Sequence, residues 1–366
     1  MEEKILAINP GSTSTKLALF EGERLVFKEN VVHDEAALAR YPRAADQLEL
    51  RLETIRRILA ERQVDLRGFA AFVGRGGGLT PCPGGVYEVD EKLISDALGG
   101  KNTDHPACLG CAIADGFARQ YGGKAYIVDP PDTDEFQEVA RITGIKGIYR
   151  MSHTHALNQK ETARRAAAEL GLDYRSANLI VAHLGGGVSV AAHCRGRMVD
   201  ANDNINGDGP MAPTRAGALP VKDVMDLCCS GTRSPEALYR LMAKEGGFLS
   251  HLGTSEATQV AERAKGGDAY ARLVYEAFQY QVGKRIGAMA AVMKGRVDAI
   301  VLTGGIAYDQ VLTEHLREMV GFLAPVLVRP GELELEALAA GALRVLRGEE
   351  APRHYTGQPV FSGFPT

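Results

Sequence analysis

The 366-residue sequence is 45% apolar and 24% charged, with a formal net charge of −4, ordinary values for a globular chain large enough for two domains with separate cores. It has no basic block to suit a nucleic acid and no apolar run of bilayer-spanning length, so neither nucleic acid nor membrane is an expected partner. Met1-Glu2-Glu3-Lys4 lacks leader character, and six cysteines, two of them adjacent at Cys228 and Cys229, do not resemble a disulfide framework; a reducing cytoplasm is the expected setting.

In chain order, Ile5-Leu6-Ala7-Ile8 and Leu17-Ala18-Leu19-Phe20 flank the small, hydroxyl-rich segment from Asn9 to Lys16, which predicts a β-hairpin with a long turn. Ser12, Thr13, Ser14 and Thr15 put four hydroxyls beside backbone N–H groups, and Gly11 allows close approach. Such a turn suits an anion, or it is a solvated Ser/Thr turn. The design recurs in Ile180-Val181-Ala182-His183-Leu184-Gly185-Gly186-Gly187-Val188-Ser189-Val190. A shift of 174 residues lays Leu6 on Ile180, Ile8 on Ala182, Gly11 on Gly185 and Gly22 on Gly196. A period near half the chain implies duplicated domains, each offering a glycine-lined hairpin to one cleft able to grip a polyphosphate.

Residues 44–63 carry Leu48, Leu52, Ile55 and Leu59 at helical spacing, an amphipathic helix expected to have no chemistry of its own. The strand predicted at 69–73 runs into Gly74-Arg75-Gly76-Gly77-Gly78. There Arg75 suits forked recognition of a carboxylate or phosphate, against the alternative of a solvated loop arginine. Cys108-Leu109-Gly110-Cys111 is a lone CxxC and reads as two small apolar residues on a buried helix. The strand at 125–128 ends at Asp129, a position where α/β proteins place ligand chemistry, with Asp132 or Thr133 expected to cap a short helix running to Arg141. His153 and His155 stand at a helix start and are expected to hydrogen-bond singly, not to share a metal.

Beyond the second hairpin, residues 204–220 form a long polar loop holding Arg215, the kind of loop that is usually functional. Ser234-Pro235-Glu236 opens a helix. A long helix is predicted over 268–294, with Leu273, Phe278, Val282, Ile286 and Met289 as its core stripe. The strand at 299–302 opens onto Gly304-Gly305, a third small-residue turn suited to a flat group or phosphate. A closing helix near 334–347 precedes a tail over 355–366.

No GxxxxGK[ST], strand-linked GxGxxG or protein-kinase signature is present, so nucleotide would be held by the paired hairpins and the Gly304-Gly305 turn. That arrangement resembles the actin, sugar-kinase and Hsp70 superfamily. Within it the motifs resemble the acetokinase family, most closely its butyrate-type branch. The motifs are Asn9-Pro10-Gly11-Ser12-Thr13-Ser14-Thr15-Lys16, Val73-Gly74-Arg75-Gly76-Gly77, His155-Ala156-Leu157-Asn158-Gln159-Lys160, His183-Leu184-Gly185-Gly186-Gly187 and Thr214-Arg215-Ala216-Gly217. The resemblance implies an α/β fold of two duplicated ribonuclease-H-like (actin-like ATPase) domains around a central cleft. They are expected at 1–150, rejoined by the helix 334–348, and at 151–333.

It further implies transfer of the ATP γ-phosphoryl group to the carboxylate of butyrate or a similar short-chain acid, reversibly, with Mg²⁺, in a homodimer or larger assembly. By the resemblance, Asn9, Ser12 and Ser14 order Mg²⁺ and phosphate, beside Thr13 and Lys16. Asp129 is the catalytic aspartate, His155 the transition-state histidine and Arg215 an active-site arginine. His183 with Gly185, Gly186 and Gly187 is the second phosphate hairpin, Gly304-Gly305 the adenosine-side turn, and Glu332, or else Glu334, the distal Mg²⁺-ordering glutamate. Three positions depart from the family pattern: Arg75 falls nearer a histidine slot, Cys108 replaces asparagine and Thr214 replaces glutamate. A carboxylate nucleophile needs no general base, so Arg75, Arg215, His155 and Mg²⁺ would act by neutralising charge. The competing readings are a nucleotide-switched module without catalysis, and a sugar or polyol kinase in which Asp129 is a base.

Overall fold

A computed structural model describes residues 2–100 and 102–365; Met1 and Thr366, the last residue of the expected tail, lie outside the described residues. The chain divides into two compact units, Met1–Asp134 with Leu333–Thr366, and Glu135–Glu332. The division follows the side chains: Glu135 accepts two hydrogen bonds from Lys160 and one from the Met198 amide, which ties it to the second unit.

In the first unit, β1 (Lys4–Pro10), β2 (Ser14–Glu21) and β3 (Arg24–Val32) form an antiparallel meander. β4 (Ala71–Gly74) and β6 (Lys124–Val128) extend it in parallel from β1, and β5 (Val86–Glu88) closes the edge, in the order β3-β2-β1-β4-β6-β5. The second unit repeats the plan. β7 (Asn178–Leu184), β8 (Val188–Cys194) and β9 (Arg197–Ala201) form the meander, and β10 (Ala299–Gly304) and β11 (Val326–Pro330) follow in parallel, in the order β11-β10-β7-β8-β9.

The two copies agree face by face. Leu6 and Ile8 of β1 and Leu17 and Leu19 of β2 enter the first core with Phe72 and Phe117. Their counterparts Ile180, Ala182, Val190 and Ala192 enter the second with Phe278, Val282 and Ile286. Each fully buried Leu, Ile, Val or Phe side chain among them contributes about 1.5–3 kcal/mol. The opposite face of β7 and β10 is covered by the alanine-rich helix Ala156–Glu169, through Ala163, Ala166 and Ala167. On the first sheet the helix Glu334–Leu346 packs on β1, β4 and β6. Gly341 lets that helix approach closely, because a Cβ there would stand 2.6 Å from the Val128 methyls.

Several expectations are corrected. The repeat offset is 174 only as far as the turn. The first hairpin leaves four residues between the pair Pro10↔Thr15, and the second leaves three between Leu184↔Val188. Past the turn the offset is therefore 173: Leu17 corresponds to Val190, the register shift at Leu19/Phe20 falls at Ala192/His193, and Gly22 corresponds to Arg195, not Gly196. Arg195 accordingly adopts a left-handed φ of 50° where Gly22 has 56°. Leu273 is exposed, and the long helix Ala269–Val292 turns Val274 and Tyr275 inward in its place, while Phe278, Val282, Ile286 and Met289 are buried as expected. Asp132 and Thr133 cap no helix: the helix Glu138–Arg141 begins after Gln137, and Asp132 and Thr133 run beside Cys82. The stretch from 355 is no loose tail at its start, since the Tyr355 ring is buried and its hydroxyl accepts from the Thr80 amide at 2.9 Å. Among the described residues no helix is long and apolar enough to cross a membrane.

Candidate active site

The first-unit site is built on the β1–β2 turn. The Gly11 amide donates to the Ser14 carbonyl at 2.7 Å, closing the turn with Ser12 and Thr13 exposed at its tip. Behind it lies Arg51, fully buried, which donates to the Ser14 carbonyl (2.6 Å), Thr15 Oγ1 (3.0 Å) and Gln47 Oε1 (2.9 Å). The His33 amide holds the Thr13 carbonyl at 2.8 Å. With carbonyls 13 and 14 engaged by the protein, the turn is held in one shape, as an anion-binding turn has to be. Desolvation lowers the Arg51 pKa to about 10, which still leaves the guanidinium charged at neutral pH.

Helix 48–61 therefore braces the turn through Arg51, a structural role its pattern did not show. The signal was available: Arg51 stands three residues after Leu48 and four before Ile55, inside the apolar stripe, where an arginine is buried only if it has partners. His33 was also unremarked. Its Nε2 lies 2.7 Å from Thr15 Oγ1, and burial, then the nearby Arg51 charge, lowers its pKa.

At the end of β1, Asn9 Nδ2 donates to Glu334 Oε2 at 2.6 Å, and Glu334 also pairs with Arg75. Burial alone would raise the Glu334 carboxyl; the Arg75 charge and hydrogen bond outweigh it and hold it below its usual range. Lys16 stands opposite Asn9 in the β1–β2 register. Arg75 is placed by its own backbone, since its amide donates to Ile8 O at 2.8 Å. The preceding Gly74 lies so close to the Gly110 carbonyl that no side chain fits there. Ser12 Oγ is 3.1 Å from His105 Nε2, and His105 Nδ1 accepts from the Ala107 amide at 3.1 Å, so the proton on the neutral ring sits at Nε2. Desolvation, then Arg75 and Arg51, lowers the His105 pKa and keeps that ring neutral. Asp129 follows β6 fully buried, with φ 37°, a left-handed conformation costing a non-glycine residue roughly 1 kcal/mol or more. Its Oδ1 accepts from the Gly85 amide at 2.7 Å. Cys108 and Cys111 are both buried, and burial pushes their thiols up to about 11 and 12.

In the second unit, His155, His183 and Arg215 converge on the β7–β8 turn. The rings of His155 and His183 stack with centroids 4.0 Å apart, and His155 Nδ1 is 2.9 Å from Ser189 Oγ. Arg215 lies across Gly187, donating to Asn204 Oδ1, and a Cβ on Gly187 would stand 2.9 Å from its Cζ. Arg215 has no carboxylate partner among the described residues, and burial lowers its pKa. The loop carrying it is anchored: Asn204 N donates to His153 O, and His153 Nδ1 meets Asp203 Oδ2 at 2.8 Å. Burial alone would raise Asp203; the hydrogen bond and charge of His153 overcome it and hold the carboxyl at about 2. His153 thus meets Asp203 and the Asn206 side-chain amide, and His155 meets Ser189.

Gly304 has φ 90° and sits against the Leu184 backbone, with its amide and carbonyl paired to Gly331, which brings the third turn beside the second hairpin. A cavity of about 820 Å³ opens there, lined by Gly185, Gly186, Gly305, Ile306, Tyr308 and Asp309 among others. Glu332 also lines it, half-exposed and 3.7 Å from His183 Nε2, whereas Glu334 is the glutamate joined to Asn9.

Two copies of one meander-plus-parallel sheet, each with a ligand-sized turn after its first strand, define the duplicated ribonuclease-H-like, actin-like class of α/β proteins. Three solved structures share this fold over nearly their whole length. An acetate kinase from Porphyromonas gingivalis superposes with a TM-score of 0.76 at 21% identity, covering 94% of this chain and 100% of its own. An acetate kinase from Entamoeba histolytica does so with 0.71 at 16%, covering 93% and 98%. A propionate kinase from Francisella tularensis subsp. tularensis SCHU S4 does so with 0.69 at 18%, covering 92% and 98%. The family model described as the acetokinase family matches residues 141–323, half of the sequence and wholly inside the second unit, and the chain belongs to that family.

Proposed function

We propose that this protein is a carboxylate kinase that moves the γ-phosphoryl group of MgATP to a short-chain fatty acid, with butyrate as its acid, and that the reaction runs in both directions. The observation that carries this reading is the convergence of Arg215, without a carboxylate partner among the described residues, and His155 on one glycine-lined turn beside a nucleotide-sized cavity. A carboxylate is already ionised near neutral pH, so the barrier to be lowered is repulsion between two anions, not loss of a proton. A desolvated guanidinium and an imidazole donor fixed before the reaction suit that task. Nucleoside would occupy the cavity, with phosphates passing the Gly185–Gly187 turn toward Arg215.

On the first unit, the Ser12–Ser14 turn and Lys16 are assigned to phosphate, and Arg75 to the acid's carboxylate. Among the described residues no group of three or more His, Cys, Asp or Glu side chains is gathered to hold a metal ion. A magnesium ion carried by phosphate oxygens fits such a donor set, because Mg²⁺ keeps several waters and needs only one or two carboxylates to order them. Its chemistry would be to neutralise phosphate charge. Asn9 and Asp129 are assigned to order its waters, and Glu334 takes the third role in preference to Glu332, because it shares a hydrogen bond with Asn9.

The test is formation of acyl phosphate, trapped by hydroxylamine, from ATP, Mg²⁺ and each acid from C2 to C6. Highest kcat/KM with butyrate is the expected result. A preference for acetate or propionate, the acids of the acetate and propionate kinases with which the chain superposes, would move the acceptor while keeping the chemistry. ATP binding with no acyl phosphate from any acid would overturn the reading.

A further inference from the structure

The buried polar groups behind His155 form a chain whose hydrogens all have to point one way. Gln159 is fully buried, with one end of its amide 2.8 Å from Ser189 O and 3.3 Å from Val181 O. Two carbonyls can only be met by the nitrogen, so the amide orientation is fixed and Gln159 Oε1 faces His193 Nε2 at 3.1 Å. His193 Nε2 must then be the protonated nitrogen, leaving Nδ1 to accept from the Tyr174 hydroxyl at 2.9 Å. At the other end, Gln159 Nε2 lies 3.0 Å from Ser189 Oγ, and the same oxygen lies 2.9 Å from His155 Nδ1.

Ser189 is fully buried, and these are the side-chain neighbours of its hydroxyl among the described residues. Were His155 Nδ1 protonated, Ser189 Oγ would face two N–H donors and its own hydrogen would have no acceptor among the described residues. With Nδ1 bare, the Ser189 hydroxyl has its acceptor, and the two Gln159 Nε2 hydrogens serve Ser189 O and, shared, Val181 O and Ser189 Oγ. The direction runs Tyr174 to His193 to Gln159 to Ser189 to His155, and it leaves the remaining proton of a neutral His155 on Nε2. Stacking on His183 holds the ring in that orientation.

We propose that Ser189 is a positioning residue, set by Gln159 and His193, that holds His155 as the neutral Nε2–H tautomer so that the imidazole donates from Nε2. The role in phosphoryl transfer rests on the carboxylate-kinase reading; the tautomer does not. Nε2–H then stands ready for charge on the transferring group without a change of protonation or a turn of the ring during reaction.

The experiment is a long-range ¹H–¹⁵N correlation spectrum of the imidazoles in the full-length protein without substrates, His155 being assigned by the signals lost in His155→Gln. The expected pattern for His155 is a bare Nδ1 and a protonated Nε2. The reverse pattern, or an even mixture, overturns the proposal whatever the activity. In Ser189→Ala the His155 signals should shift toward a mixture of tautomers. Its kcat for acyl phosphate formation should fall about tenfold or more, as expected when a catalytic histidine loses its tautomer control, with KM for nucleotide and acid unchanged. Wild-type kcat in that variant also overturns the proposal, and should the variant fail to fold, the wild-type spectrum alone decides. The expected tautomer in a protein that phosphorylates no acid would refute the carboxylate-kinase reading and leave the hydrogen-bond chain standing.

Discussion

One methyl group at position 187 tests the seat of Arg215. An alanine Cβ there would stand 2.9 Å from Arg215 Cζ, and nearer still to Nη1 and to Asn204 Oδ1. Carbon atoms rest at roughly 3.5–4.0 Å, so the guanidinium must retreat by about 1 Å. A misplacement of about 1 Å costs on the order of 10²-fold in rate, equivalent to about 2.7 kcal/mol of transition-state stabilisation. Gly186 supplies the control. A Cβ there meets nothing within 4 Å, and neither glycine is at positive φ, so alanine brings no left-handed backbone strain at either site. Gly187→Ala should lower kcat about 100-fold with little change in Tm. Gly186→Ala, lining the cavity assigned to nucleotide, should raise KM for ATP with kcat retained. Steady-state kinetics with a saturating acid, beside thermal unfolding of both variants, makes the comparison. Wild-type kcat in Gly187→Ala would show that the position of Arg215 on the turn does not matter, and the argument from geometry to charge neutralisation would fail.

Other outcomes follow from the first unit. Arg51→Met leaves Gln47 Oε1 without its donor, while the Ser14 carbonyl keeps the Gly11 amide and Thr15 Oγ1 keeps His33. At about 1–3 kcal/mol for a buried unsatisfied group, urea unfolding should show a loss of at least about 1 kcal/mol; an unchanged midpoint would count against the clamp. Glu334→Gln should raise the Mg²⁺ concentration needed for half-maximal rate several-fold while Glu332→Gln does not, and the opposite ranking would return the water-ordering role to Glu332. The His33 pKa is lowered in the folded protein, so its stabilising contribution is complete above its unfolded pKa of about 6.5 and is lost as pH falls through the folded value. Between those points stability should decline by up to about 1.4 kcal/mol per pH unit for this one proton, and His33→Gln should flatten the slope. His105, also lowered, contributes in the same sense and leaves a residual slope in that variant. An unaltered slope in His33→Gln would remove His33 from the account.

Much of the fold could be read from the sequence because a half-buried hairpin announces itself. Ile5 to Ile8 and Leu17 to Phe20 are apolar runs around a turn, and the same pattern returns at 180–192, so duplication was visible without coordinates. The short edge strands were not legible. β5 has three residues, and β11 is only partly buried, so neither builds a pattern that stands above the background. Among the proposed site residues, the turn residues and Asp129 stood out by residue type and placement, while the roles of His155 and Arg215 came from the family resemblance. Arg51, His33, Ser189 and Gln159 did not, because their work is done through partners far off in sequence. Ser189 accepts from a helix 30 residues earlier, and Arg51 reaches back 37 residues to Ser14. A lone Ser in a β-strand or a lone Arg in a helix has no spacing rule to betray it. The Leu273 error has the same root: on a helix buried around much of its circumference, the stripe alone cannot fix which side faces water.

The one-residue difference between the two hairpin turns bears on how the halves of this molecule were free to diverge. Within a pleated strand the loss of a single amino acid exchanges inside for outside along everything that follows. In the turn it merely shortens the bend, and Leu17 and Val190 still point into their respective cores. The bends were thus where insertion and deletion went unpunished by the scaffold. One became a hydroxyl-bearing loop braced from behind by a guanidinium, the other a bare glycine ribbon with a guanidinium laid on top. Asymmetry between the copies collected where a ligand would be handled, while the parity of their strands held.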